Sequence, residues 1–225
     1  LVGCGKKSDE IVMVTEAGFA PYEFYENGEV IGVDIEISKK IADKLGKKLV
    51  IKDVAFDSII NELNSGKADF AAAGMSIDPE RSEKVDFSIE YITSNQVVVV
   101  KEDSDIKSID DIKDKRISVQ LGTVADTYVT KNYKDAKINR LKKFLVAAED
   151  VKNNKSDCIV MDAIPANELV KSNPELKVLD GILFQDKYGM AVKKGNKELL
   201  NSINLVLEEL IKDGKIDEYI IKFSE

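Results

Sequence analysis

The chain contains no histidine and only two cysteines, Cys4 and Cys158. Without imidazole there is no Ser-His or Cys-His nucleophile pair, and two thiols alone do not assemble a structural zinc site. No metal and no cofactor is expected. No apolar run is long enough to span a membrane. Positive charge is in deficit: 33 Lys and Arg face 41 Asp and Glu, a formal net charge of −8, which disfavours a nucleic-acid partner. Neither an internal repeat nor a low-complexity segment occurs. What remains is ordinary globular composition, 44% hydrophobic and 33% charged. At 225 residues the chain suffices for one large domain or two modest lobes with real cores.

The N-terminal Leu1-Val2-Gly3-Cys4 resembles a bacterial lipobox, with Cys4 as the residue lipidated after signal cleavage. The polar run Gly5-Lys6-Lys7-Ser8-Asp9-Glu10 behind it reads as a tether. The apolar signal segment that such a motif follows is expected upstream of Leu1. Residues 1–8 are thus expected to join the protein to the membrane through lipid on Cys4. Cys158 lies in Asp157-Cys158-Ile159-Val160-Met161, an apolar strand pattern, and is expected to be a buried core thiol.

Strand-like and helix-like runs alternate. Residues 11–15, 48–53 and 69–73 read as strands. Asp34 is expected to cap a helix in which Ile35, Ile41, Ala42 and Leu45 are apolar and which Gly46 stops. Residues 58–64 read as a helix stopped by Gly66. After a continuous apolar strand at 96–101 a fresh series begins. It has strands at 116–120, 138–141, 158–161 and 188–192, a helix opened by Gly122-Thr123, and a strongly amphipathic helix at 198–213. The alternation implies βαβ units and an α/β fold. Two α/β halves are expected, with residues 97–101 and 188–192 as crossing points between them.

One segment carries more chemistry than the rest: Ala73-Gly74-Met75-Ser76-Ile77-Asp78-Pro79-Glu80-Arg81, followed by Val85-Asp86-Phe87-Ser88. Small residues allow close backbone approach. Asp78 suits an N-cap and Pro79 the first helical position. A helix start offers free N–H groups, and Arg81 adds a planar cationic fork, a combination that suits a small carboxylate.

Together with Phe19-Ala20-Pro21-Tyr22-Glu23-Phe24, Gly32-Val33-Asp34-Ile35, Gln120-Leu121-Gly122-Thr123 and Asp162, this segment resembles the polar amino-acid-binding proteins of bacterial ABC importers. These are family 3 extracellular solute-binding proteins of the type II periplasmic-binding fold. The resemblance runs from about Ile11 to the C-terminus. It implies a two-lobe clamp of two mixed sheets flanked by helices and joined by a two-strand hinge. Residues 9–97 and 190–225 would form lobe 1, and 98–189 lobe 2. The amino acid would lie between them. Arg81, Ser76, Thr123 and Val124 match positions that face the ligand α-carboxylate. Asp162 and the Gly74 carbonyl match those that face the α-ammonium. Many relatives carry Thr where this chain has Val124, a change that keeps the backbone donor and loses a hydroxyl.

Phe19 and Phe56 match two aromatic positions that sandwich the ligand side chain. Glu16 and Gln120 match positions near its end. An anionic Glu16 between aromatic walls favours a cationic end group: arginine first, lysine or ornithine next, then glutamine or histidine. Tyr22, Tyr91 and Asp57 fall near the cleft, whereas Lys142-Lys143 and Lys193-Lys194 read as solvated faces. Two alternatives share the motif set. One is a dehydratase acting on cyclic carboxylates, with Glu16 as general acid. The other is an extracellular sensor domain followed by a transmembrane helix. An ammonium partner such as Asp162 suits an amino acid better, and no feature demands catalysis. The expectation is a monomeric, non-enzymatic, lipid-anchored binding protein outside the cytoplasm that serves the transmembrane subunits of an ABC permease.

Overall fold

A computed structural model describes residues 9–224, so Cys4 and the expected tether 1–8 lie outside the described residues. The chain opens with β1 (Glu10–Thr15) and the small meander β2 (Gly18–Phe19), β3 (Glu23–Glu26) and β4 (Glu29–Ile31). It continues through α1 (Val33–Lys44), β5 (Lys48–Asp53), a 3-10 turn at Phe56–Ser58, α2 (Ile59–Asn64), β6 (Phe70–Ala71), α3 (Pro79–Lys84) and β7 (Val85–Phe87). The second series is β8 (Ile92–Lys101), β9 (Arg116–Gln120), α4 (Val124–Asn132), β10 (Lys137–Leu141), α5 (Phe144–Lys152), β11 (Cys158–Asp162), α6 (Ala163–Ser172), β12 (Leu176–Val178) and β13 (Phe184–Tyr188). The chain then returns with β14 (Ala191–Lys193), α7 (Lys197–Lys212) and α8 (Lys215–Phe223).

Two mixed sheets result. The first runs β5-β1-β6-β14-β7, with β14 antiparallel to both neighbours. The second is six-stranded, β10-β9-β11-β8-β12, with β13 also paired to β8. The valines of β8 show why a continuous apolar run forms a central strand. Side chains alternate across a sheet, so Val97 and Val99 enter one core cluster and Val98 and Val100 another. Helix α7 buries Leu200, Ile203, Val206, Leu207 and Leu210 at helical spacing, and Ile216 of α8 joins the same core. Each such side chain contributes about 1.5–3 kcal/mol on burial. Cys158 is a free, fully buried thiol, and burial raises its pKa.

The sheets are joined at 88–91, between β7 and β8, and at 189–190, between β13 and β14. These connections bond each other: Ser88 N–H donates to the Met190 carbonyl at 2.7 Å, and Tyr91 N–H to the Tyr188 carbonyl at 3.0 Å. The strand expected at 188–192 is therefore two strands in different sheets, interrupted at Gly189-Met190. A Cβ on Gly189 would sit 2.8 Å from Ile77 Cδ1. The other expected crossing, 97–101, lies inside the second sheet, because β8 starts at Ile92 and all of it pairs there. Its first half, Thr93-Ser94-Asn95, is polar and carried no apolar signal.

Asp34 does not cap α1. The N-cap is Gly32, and the buried Asp34 carboxylate instead accepts Gly74 N–H at 2.8 Å and Tyr91 Oη–H at 2.7 Å. Gly32 is required here: its φ is +133°, and a Cβ would lie 2.3 Å from the Tyr22 carbonyl oxygen. That carbonyl accepts the Asp34 N–H at 2.9 Å, which fixes the entry to α1. Gly32→Ala is expected to cost about 2 kcal/mol or more. The melting temperature should fall by roughly 4 °C or more. Gly46→Ala, also at positive φ (+61°) but with open space around its Cβ, should cost clearly less. Equal losses in thermal melts would contradict the clash.

Candidate functional site

One cavity lies where the two sheets face each other. From the first side it is lined by Glu16, Phe19, Glu23, Phe56, Ala73, Gly74, Ser76 and Arg81, and from the second by Gln120, Thr123, Val124 and Asp162. Glu16, Phe56 and Ala73-Gly74 follow the C-terminal ends of β1, β5 and β6, Gln120 and Asp162 end β9 and β11, and Thr123 and Val124 lie just beyond β9. Open α/β sheets place ligand crevices at such strand ends. Every ligand-facing residue expected from the sequence lines this one cavity. Glu23 and Ala73 are additions.

Arg81 is held by the local structure of α3. Asp78 caps the helix, accepting from Glu80 N–H at 3.1 Å and Arg81 N–H at 3.3 Å, with Pro79 at the first position. The Arg81 guanidinium is buried. It donates to the Ser76 carbonyl at 2.7 Å and, across to the second sheet, to the Gly122 carbonyl at 2.9 Å. Its carbon lies 5.3 Å from the centre of the Phe56 ring, and its Nε lies 3.5 Å from Asp78 Oδ2. Burial lowers its pKa, against the nearby acids that raise it.

Asp162 occupies the N-cap position of α6, but its carboxylate turns to hydroxyls, accepting from Ser94 at 2.6 Å and from Tyr188. Burial holds its carboxyl above the usual range, and these hydroxyl donors oppose the shift. On the same side Thr123 caps α4, accepting Asp126 N–H at 3.2 Å and donating to the Gln120 carbonyl at 2.8 Å. Phe19 packs tightly over the glycine turn: a Cβ on Gly74, whose φ is +52°, would fall 2.6 Å from the Phe19 ring. Across the cleft Phe19 stacks on Phe144, with centroids 5.7 Å apart.

Beneath this floor lies a carboxyl pair. Glu23 is fully buried, and among the described residues no donor group reaches either of its oxygens. Burial, then the charge of the neighbouring Asp34, raise the Glu23 carboxyl well above the usual carboxylate range.

Glu16 is buried and doubly engaged from the second sheet. Its Oε2 accepts from Gln120 Nε2 at 3.0 Å, and its Oε1 pairs with Lys143. The solvated face expected at Lys142-Lys143 is thus half wrong: Lys142 is exposed, but Lys143 turns inward because an almost wholly buried carboxylate needs a counter-charge. Sequence reasoning also passed over Asp186, which accepts from Ser76 Oγ–H and, at 3.4 Å, from Gln96 Nε2. Its signal was the alternation Phe184-Gln185-Asp186-Lys187-Tyr188, which puts Asp186 on the same face of the strand as Tyr188.

Residues 11–225 match the family described as bacterial extracellular solute-binding proteins, family 3. The chain belongs to that family. Among curated relatives, the arginine-binding extracellular protein ArtP of Bacillus subtilis is 31% identical over 95% of this chain and 85% of its own length. The structure of the P235GK mutant of ArgBP from T. maritima superposes with a TM-score of 0.91 at 39% identity, covering 96% of this chain and 95% of that one. An ancestral arginine-binding protein bound to arginine gives 0.90 at 41% identity, covering 97% and 99%. A structure of an ancestral arginine-binding protein bound to glutamine also gives 0.90, at 40% identity, covering 97% and 99%. These relatives are binding proteins rather than enzymes, which removes the dehydratase alternative. The two-lobe, two-sheet architecture of this family 3 protein agrees with theirs, and among its described residues no helix is long and apolar enough to cross a membrane.

Asp186 supplies a pH test of the site. Burial, then the charge of Asp162, raise its carboxyl from 3.8 to about 6, against bonds from Ser76 and Gln96. A raised folded pKa means that the stabilising contribution of the protonated form is complete below 3.8 and is lost as pH rises through about 6. Asp186→Asn mimics the protonated form. In ligand-depleted protein it should melt above the wild type at about pH 8, and the gap should close toward pH 4. A gap that ignores pH would contradict the assignment.

Proposed function

We propose that this protein captures a polar amino acid between its two lobes, which divide near 88–91 and 189–190, and hands it to the membrane permease of an ABC importer. The observation that carries the reading is the pair Arg81 and Asp162. One cation and one anion, contributed by different lobes, face a single cavity. A free amino acid carries the complementary two charges. Buried without partners, those charges would cost several kcal/mol each, so a site that takes a zwitterion needs both.

In this reading Arg81, Ser76, Thr123 and the backbone N–H of Val124 receive the α-carboxylate, the last at the start of α4 where free N–H groups favour an anion. Asp162 and the Gly74 carbonyl receive the α-ammonium. Phe19 and Phe56 flank the ligand side chain, and Glu16 and Gln120 read its end. An acid at that end supports arginine first, lysine or ornithine next, then glutamine or histidine. Relatives described as arginine-binding point the same way.

Arg81→Ala should weaken amino-acid binding at least about 30-fold while the fold persists, the usual scale for truncating one partner of a buried charge pair. Calorimetry against the best ligand from a screen of the twenty amino acids, with a thermal melt as the folding control, checks this. Near-normal affinity would remove the carboxylate role.

We also infer that lipid on Cys4 holds the protein at the membrane, from the Leu1-Val2-Gly3-Cys4 motif and the polar residues behind it. Cys4→Ser in the full precursor should release protein into the medium. Continued membrane association after cell fractionation would count against the anchor.

A further inference from the structure

Glu16 faces the cavity, yet both of its oxygens are already engaged from the second sheet, Oε2 by Gln120 and Oε1 by Lys143. Gln120 lines the cavity and Lys143 does not, so the lysine reaches the carboxylate from its outer side. The two partners differ in solvation: the Glu16 side chain is 2% exposed and that of Lys143 is 44% exposed. The acid is fixed and the base is free to adjust. Behind Lys143 lies a second acid, Asp53, anchored by Ala17 N–H at 2.9 Å and Tyr25 Oη–H at 3.0 Å. Partial burial opposes the charge on Lys143, but the bond to Glu16 and then the charges of Glu16 and Asp53 hold its ammonium above the usual lysine range.

We propose that Lys143 is a specificity-determining residue, which shares Glu16 with the ligand side chain and so reduces the advantage of a cationic end group over a neutral one. The inference rests on the amino-acid reading above. An ionised carboxylate offers about four lone-pair positions, so Glu16 has room for a guanidinium beside Gln120 and Lys143. What Lys143 changes is charge. With its ammonium in place the Glu16–Lys143 pair presents little net charge to the cavity, and an uncharged ureido or carboxamide competes with a guanidinium on hydrogen bonding alone. The lysine thus acts as a built-in competitor at the end of the site that reads charge. Its half-exposed side chain and the nearby Asp53 allow it to yield when a cation enters.

The test is calorimetry with L-arginine and L-citrulline, which share a shape and differ in charge, on the wild-type chain, Lys143→Met, Glu16→Gln and the double variant. Methionine keeps an aliphatic stem of similar reach, and Lys143→Gln is a second neutral variant held to the same expectation. Removing the ammonium should raise the arginine-to-citrulline affinity ratio about three- to fivefold, the scale of one partly exposed charge pair. The same substitution made on Glu16→Gln should move the ratio by less than about twofold, because the carboxylate through which Lys143 acts is gone. A ratio that is unchanged or lower in Lys143→Met and Lys143→Gln, in proteins that still melt cooperatively, overturns the proposal. So does a wild-type chain that binds neither arginine nor citrulline, whereas the amino-acid reading itself stands or falls on Arg81 and the full ligand screen.

Discussion

Two opposite charges buried against one cavity, Arg81 and Asp162, do not pair with one another, and the rest of the site is arranged around that fact. Arg81 rests on the carbonyls of Ser76 and Gly122 and on the face of Phe56, with Asp78 Oδ2 3.5 Å from its Nε. Asp162 rests on the hydroxyls of Ser94 and Tyr188. Dipoles offset part of the several kcal/mol that burying each ion costs, but they do not neutralise it. The raised Asp162 carboxyl and the lowered Arg81 pKa are the residue of that incomplete compensation. In the proposed reading one molecule carrying an ammonium and a carboxylate meets both charges at once, which either half of the cavity alone would not reward.

That division of charge between the sheets ties binding to geometry. Among the described residues the chain passes between the sheets at two places, which hydrogen bonds between Ser88 and Met190 and between Tyr91 and Tyr188 tie together. Contacts across the cleft are specific: Arg81 to the Gly122 carbonyl, Ser76 to Asp186, Glu16 to Gln120 and Lys143, Phe19 on Phe144. A ligand that touches both sides adds to this set only when the cleft is shut, and a ligand shifts an equilibrium by no more than such a difference in contacts.

Much of this was legible because the residues concerned act locally. Asp78 and Pro79 announce α3 and thereby the place of Arg81; Gly122-Thr123 announces α4; the valines of β8 announce a central strand. What escaped has a common cause. Helix α5 was passed over because its N-cap is Lys143, a residue that signals no helix start, and α6 because Asp162 had been assigned to chemistry rather than to a helix terminus. Lys143 and Asp186 were passed over because their partners, Glu16 and Ser76, lie more than a hundred residues away in the chain. Lysine beside lysine reads as surface in any window, and no local pattern reports that a buried acid from the other sheet waits for it.

Asp34 marks the boundary between the two kinds of information. A carboxylate in the first turn of α1 is favourable for the helix, which is why it reads as a cap. Its fold-level task is different. It holds the Gly74 N–H and the Tyr91 hydroxyl, so one side chain joins the turn under Phe19 to the hinge. Beside it the Glu23 carboxyl is raised well above the usual range by burial and by the charge of Asp34. Both acids are fully buried, and burial raises both carboxyls. The residue that reads as a helix cap is thus the one that fixes the Gly74 turn beside the cavity.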